Sequence, residues 1–140
     1  MRPSNMRILA IDPGDRRIGL AISDELGITA QGLDTFDKRG AKDFFGHVAK
    51  LIADFEVREI VVGDPIHLSG KPSESSDKAR ALAKELQRRF DVEVTLWDER
   101  LSSEEAKRVL RGSRPKKGTV DRLAAIIILQ TYLDFKGRRS

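Results

Sequence analysis

RILAIDPGDRRIGLAIS, residues 7–23, decides the fold. Arg7–Asp12 is a short apolar run closed by an acid. Ile8 and Ala10 stand on one strand face, Leu9 and Ile11 on the other. Apolar residues on both faces mark a strand covered on both sides, at the centre of a sheet. Pro13-Gly14-Asp15 signals a tight turn. Arg17–Ser23 then alternates as a second strand, so 7–23 reads as a hairpin.

Working outward, residues 28–36 form a weaker third strand. The spacing of Phe44, Phe45, Val48, Leu51, Ile52 and Phe55 predicts an amphipathic helix over 41–55. Glu59–Gly63 (EIVVG) reads as a buried fourth strand and 64–76 as a loop rich in Pro, Ser and Gly. A helix over 77–90 and a fifth strand over 92–97 follow. Ser102 and Glu105 fit a capping box opening a short helix to Leu110. Residues 111–118 are a basic loop, and 119–135 the last helix. Three strands followed by alternating helices and strands predict one α/β domain. Its sheet is five-stranded and mixed, antiparallel in strands 1–3 and parallel in strands 4–5, with flanking helices.

Composition closes several routes to function. The chain has 140 residues, no cysteine, two histidines and a net charge of +4. Disulfides, thiolate metal sites and cysteine nucleophiles are excluded. His47 and His67 stand apart, against a histidine-built zinc site. No apolar run approaches the ~18 residues of a membrane span, and Met1–Asn5 lacks a signal core, so a cytoplasmic protein without membrane contact is expected. Met6 is an alternative start. Gly63–Lys71 only superficially imitates a phosphate loop. Six residues separate its glycines, and Pro72 stands where Ser or Thr is required.

Three acidic positions do not read as solvated surface. Asp12 closes the central strand at its carboxyl end, where α/β sheets place their sites. Asp98 and Glu99 end the fifth strand, and alternation lets only one point into a given site. Glu99 is favoured, with Asp98 the alternative. At ~100° per residue, Asp121 falls in one column with Ala125, Ile128 and Tyr132, heading a buried stripe, with Gln130 and Asp134 on the opposite polar face. A first-turn acid also suits the helix dipole, which does not explain its side. Converging carboxylates need a compensating cation. Oxygen ligands without His or Cys suit Mg²⁺ or Mn²⁺, as one or two ions. Such sites perform phosphoryl chemistry.

Lys107–Val120 (KRVLRGSRPKKGTV) carries Lys107, Arg108, Arg111, Arg114, Lys116 and Lys117 and no acid. Six positive charges beside Asp121 form a candidate grip on a phosphate backbone. Arg16, Arg17, Lys136, Arg138 and Arg139 extend it. With one Trp and one Tyr, the chain is suited to backbone and shape recognition rather than base stacking.

RILAIDPGDRRIGLAISD (7–24), EIVVGDPIHLSGKPSESSDKARALAKEL (59–86), VTLWDERLSSEEAKRVL (94–110) and VDRLAAIIILQTYLD (120–134) together closely resemble the YqgF/RuvX family. The resemblance spans residues 6–135, leaving 1–5 as a short tail and 136–140 as a basic tail. It implies the ribonuclease H-like fold and a nuclease. The substrate it implies is the 5′ end of pre-16S rRNA or, as for RuvC, a Holliday junction. By position it carries the site acids onto Asp12, Glu99 and Asp121. Asp98, Glu99 and Arg100 fall on the family's DER motif, and Gly14, Arg17 and Gly19 on its first hairpin. The expected partner is structured RNA or branched DNA, bound by a monomer or homodimer; symmetric junction cleavage favours the dimer. One departure is Asp64, in GDP where the family carries an apolar residue; it is an extra site acid or a loop residue. Two other classes compete. IDPGDRRIG also resembles the phosphate hairpin of sugar-kinase and actin-like ATPases, which need two such domains. A non-catalytic nucleic-acid-binding assembly factor would tolerate neutralisation of Asp12.

Overall fold

The computed structural model describes residues 7–14, 16–39, 43–65, 74–101 and 119–139. The strands are β1 (Ile8–Asp12), β2 (Arg17–Ser23), β3 (Ala30–Gly32), β4 (Phe36–Asp37), β5 (Glu59–Asp64) and β6 (Glu93–Asp98). The helices are α1 (Phe44–Phe55), α2 (Glu74–Arg89) and α3 (Thr119–Arg139), with a 3-10 turn over Glu99–Leu101. Five strands lie in the order β3-β2-β1-β5-β6, with β4 on the outer side of β2. β1 pairs antiparallel with β2 and parallel with β5, and β5 pairs parallel with β6.

β1 is central, and its alternation divides the core in two. Leu9 and Ile11 join α1 and α2 through Val48, Leu51, Ala79, Ala83 and Leu86. Ile8 and Ala10 join α3 through Ala125, Ile128, Leu129 and Tyr132. Both layers end at the same place, the carboxyl ends of β1, β5 and β6. In α/β sheets, sites lie at such carboxyl ends of parallel strands.

Several boundaries move from their expected places for identifiable reasons. The third strand is realised as two pieces. Ala21 pairs with Gly32, but Ile18, three residues back, pairs with Phe36, four residues on. The extra residue is a bulge-like interruption of the ladder. α1 starts at Phe44 rather than 41, because the Asp43 carboxylate accepts from the Phe45 amide (3.1 Å) as the N-cap. α2 starts at Glu74, within the expected loop, with Ser76 buried in its first turn. Asp64 is the last residue of β5, not a loop residue. α3 continues past 135, since Lys136 bonds Glu59 (2.9 Å) on the sheet. The expected helix over 102–110 and the basic loop lie outside the described residues. Among the described residues, no helix is long and apolar enough to cross a membrane.

Candidate functional site

The site begins with three adjacent strand ends. Ile11 pairs with Val62, and Val62 with Leu96. The next residues in each strand are Asp12, Gly63 and Trp97. Asp12 is half-buried at the end of β1, opposite Gly19. It follows Ile8 and Ala10 on the α3 side of the sheet.

Glu99 is not the end of a strand, as expected, but opens the 3-10 turn after β6. Its place is nevertheless on the expected side. A Cβ built on Gly63 would lie 3.3 Å from Glu99 Oε1 and 3.5 Å from its Cδ. The Glu99 carboxylate therefore folds back over the bare backbone of Gly63. The register that pairs Ile11 with Val62 carries Asp12 to the level of Gly63, one strand spacing of ~4.8 Å away, and Glu99 reaches the same glycine from the turn after β6.

Asp98 takes the other direction. It pairs in register with Asp64. Asp64 is 4% exposed on the α2 side of the sheet, accepts from Ser76 Oγ (2.5 Å) and faces Arg80 Nε at 3.5 Å. Alternation thus separates two pairs of acids, Asp12 with Glu99 and Asp64 with Asp98. Asp64 is anchored to α2 by these bonds, a structural use of the residue.

Asp121 lies in the first turn of α3; its side chain is outside the described residues. The column it heads is as expected, with Ala125, Ile128 and Tyr132 all buried. The opposite polar face is corrected in one respect. Asp134 is exposed, but Gln130 serves the sheet: it accepts from the Ala30 amide (3.1 Å) and donates to the Ile28 carbonyl (3.0 Å). Next to Asp121, the stem of Arg122 lies over Gly32, and its guanidinium bonds Asp34 at 3.1 Å.

At the far end of the sheet a buried acid fixes the other end of α3. Glu59 accepts from Thr95 Oγ1 (3.1 Å), from the Tyr132 hydroxyl and from Lys136 Nζ (2.9 Å). Burial, then the bond to Glu59, pushes the Tyr132 hydroxyl above its ordinary pKa. Burial works against the Lys136 ammonium, but its contact with Glu59 prevails and raises it. Both groups keep their protons across the neutral range.

Among the described residues no group of three metal-binding side chains is complete. Asp12, at the end of β1, and Glu99, over Gly63, are hard oxygen donors beside a glycine that carries no side chain. That donor set fits Mg²⁺ or Mn²⁺, with Asp121 the remaining donor expected from the sequence. Of the expected nucleic-acid contacts, Arg17 begins β2, half-buried. Lys107, Arg108, Arg111, Arg114, Lys116 and Lys117 lie outside the described residues, as does the Arg100 side chain. The sequence reading places Gly63 at a strand end and at the start of a failed phosphate loop, not beside the site acids. An isolated glycine in a buried strand was the available signal, since it marks close approach by another group.

Comparison with known proteins follows the same lines. The RuvX family model, described as Holliday junction resolvase, matches residues 6–135. A protein of Koribacter versatilis named "Putative pre-16S rRNA nuclease" is 50% identical over 135 residues, covering 94% of this chain and 88% of the relative. One of the same name from Halothermothrix orenii is 42% identical over 137 residues, covering 95% and 98%. Among solved structures, Thermus thermophilus RuvC superposes with a TM-score of 0.54 at 14% identity, covering 94% of this chain and 97% of that one. RuvC in complex with a Holliday junction substrate gives 0.54 at 15% identity, covering 94% and 96%. This likeness supports the ribonuclease H-like fold.

Proposed function

The chain belongs to the RuvX family, and from that premise we propose that it is a divalent-metal-dependent nuclease trimming the 5′ end of pre-16S rRNA during ribosome biogenesis. The observation that carries the chemistry is the Glu99 carboxylate folded over Gly63, across from the end of β1 at Asp12. The substrate rests on the names of the relatives, 50% and 42% identical.

In this reading Asp12, Glu99 and Asp121 hold one or two Mg²⁺ or Mn²⁺ ions. When bound, the ions supply charge at the scissile phosphate and a more acidic attacking water. The protein's own share is to orient its carboxylates from a strand end, a turn and a helix start, so that attack is in line with the leaving oxygen. No side chain forms a covalent intermediate. Lys107, Arg108, Arg111, Arg114, Lys116 and Lys117, with Arg17 and Arg100, hold the backbone on either side of the scissile bond. Residues 6–135 are the working domain, and the rRNA substrate makes the protein cytoplasmic.

A second reading, cleavage of four-way DNA, is favoured by the family description and the RuvC-like fold. Fold likeness alone does not select a substrate. Symmetric junction cleavage needs two sites and hence a homodimer, whereas the rRNA reading is satisfied by a monomer.

The test offers both substrates, a 5′-extended pre-16S RNA and a four-way junction, each with Mg²⁺, Mn²⁺ or EDTA, beside Asp12→Asn. RNA cleavage that needs metal and disappears in the variant is the expected result. Junction cleavage with the same dependence transfers the conclusion to the second reading. Binding without cleavage, unchanged in Asp12→Asn, leaves a non-catalytic assembly factor.

A further inference from the structure

We infer that Gly63 is a positioning residue for the candidate metal site, because its missing side chain is the space that seats both the Glu99 carboxylate and helix α3. The inference rests on the metal-site reading above.

Space, not backbone freedom, explains the glycine. Among the described residues Gly27 is the glycine with positive φ, so the backbone at Gly63 is open to other residues. Its surroundings are not. A Cβ there would lie 2.6 Å from Ile128 Cδ1 and 3.3 Å from Glu99 Oε1. The first contact is a clash in the buried layer beneath α3. Ile128 shares its column with Asp121, two turns nearer the start of the helix. Ile128 gives way at the end of its side chain, within the layer that packs the Asp121-bearing helix onto the sheet.

The second contact has opposite consequences for fold and site. A carboxylate at the end of a flexible side chain yields by a few tenths of an ångström at little cost to folding. Metal coordination is less tolerant, because ligand distances must hold within ~0.2 Å. A methyl group at position 63 therefore moves the Glu99 carboxylate directly and crowds the packing of the helix that carries Asp121. Gly63 lies between β1, which ends at Asp12, and β6, which leads into the turn bearing Glu99, so a single absent side chain makes room where these positions meet.

The test separates packing from positioning. Ile128→Val removes the Cδ1 atom that a methyl at 63 would strike, and leaves Glu99 Oε1 in its way. Melting temperature and Mn²⁺ affinity, by calorimetric titration without nucleic acid, are measured for Gly63→Ala, Ile128→Val and the double variant. Asp12→Asn and Glu99→Gln are the controls. Gly63→Ala is expected to melt early, and the double variant to recover toward Ile128→Val. Mn²⁺ affinity in the double variant stays about 10-fold or more below that of Ile128→Val, the scale of a disturbed supporting residue. If the double variant binds Mn²⁺ as Ile128→Val does while Glu99→Gln is impaired, Gly63 serves packing alone and the inference is overturned. If Asp12→Asn and Glu99→Gln themselves bind normally, the metal-site reading fails, and the inference with it.

Discussion

Asp98 and Glu99 are adjacent acids with different fates. Glu99 reaches back over Gly63 on the α3 side. Asp98 is in register with Asp64, whose partners Ser76 and Arg80 belong to α2. Glu99→Gln should therefore reduce metal-dependent cleavage by ~100-fold or more, above the cost of disturbing a mere supporting residue. Asp98→Asn should cost under ~10-fold on the same supporting-residue scale; single-turnover assays at saturating Mg²⁺ check both. Equal losses would show that the strand end does not sort the two acids. Asp64 separates stability from chemistry. Asp64→Ala removes the acceptor for Ser76 and the partner of Arg80, and should lower stability by about 1–3 kcal/mol. Urea unfolding reads that loss, while Mn²⁺ affinity should stay within a factor of two or so of the parent, since Asp64 lies on the other face of the sheet.

At the scale of elements, α3 is fastened at several levels. Arg122 rests on Gly32, Gln130 bridges to the β2–β3 hairpin, and Tyr132 and Lys136 bond Glu59. Tyr132→Phe removes one donor to a buried carboxylate and should destabilise by about 1–3 kcal/mol, visible as a lowered urea midpoint. The β2–β3 hairpin has a pH-dependent latch. The Asp24 carboxylate accepts from the Ile28 (2.7 Å) and Thr29 (3.1 Å) amides. The Ile28 amide chiefly holds its pKa below the ordinary 3.8; burial works against this, and Thr29 adds to it. A depressed folded pKa makes this contribution complete above 3.8 and lost as pH falls through the lower folded value. Protection of the Ile28 and Thr29 amides, relative to intrinsic exchange at the same pH, should fall on acidification below pH ~4, and Asp24→Asn should flatten that response.

For the whole molecule, charge distribution bears on affinity more than net charge does. The chain carries only +4, yet Lys107–Val120 holds six positive charges. Neutralising Arg111, Arg114, Lys116 and Lys117 together should weaken nucleic-acid binding across sequences. It should also flatten the salt dependence by up to ~3 in log–log slope for a single strand. Filter binding at several salt concentrations measures both. An unchanged slope would mean that this stretch solubilises the protein rather than gripping phosphate.

Most of the architecture was legible in residues 7–23, because apolar residues on both faces have few solutions other than a central covered strand. The order of strands and helices followed, and so did Asp12 as an acid at a strand end. Asp121 could be assigned to a buried column because helical periodicity is local. Boundaries were less legible. The N-cap bond of Asp43, the extra residue opposite β2 and the helical first turn at Ser76 depend on partners that no short window contains.

Alternation and periodicity along the chain are enough to place most elements and to pick out the acids that do not read as solvated surface. They say nothing of the bonds that tie Asp64 to α2, of Gln130 serving the sheet or of Glu99 lying over Gly63. The physical reason is that each is a contact across strands or between sheet and helix. Such contacts are set by register and packing, which come into being when β1, β5, β6 and α3 close around a common core.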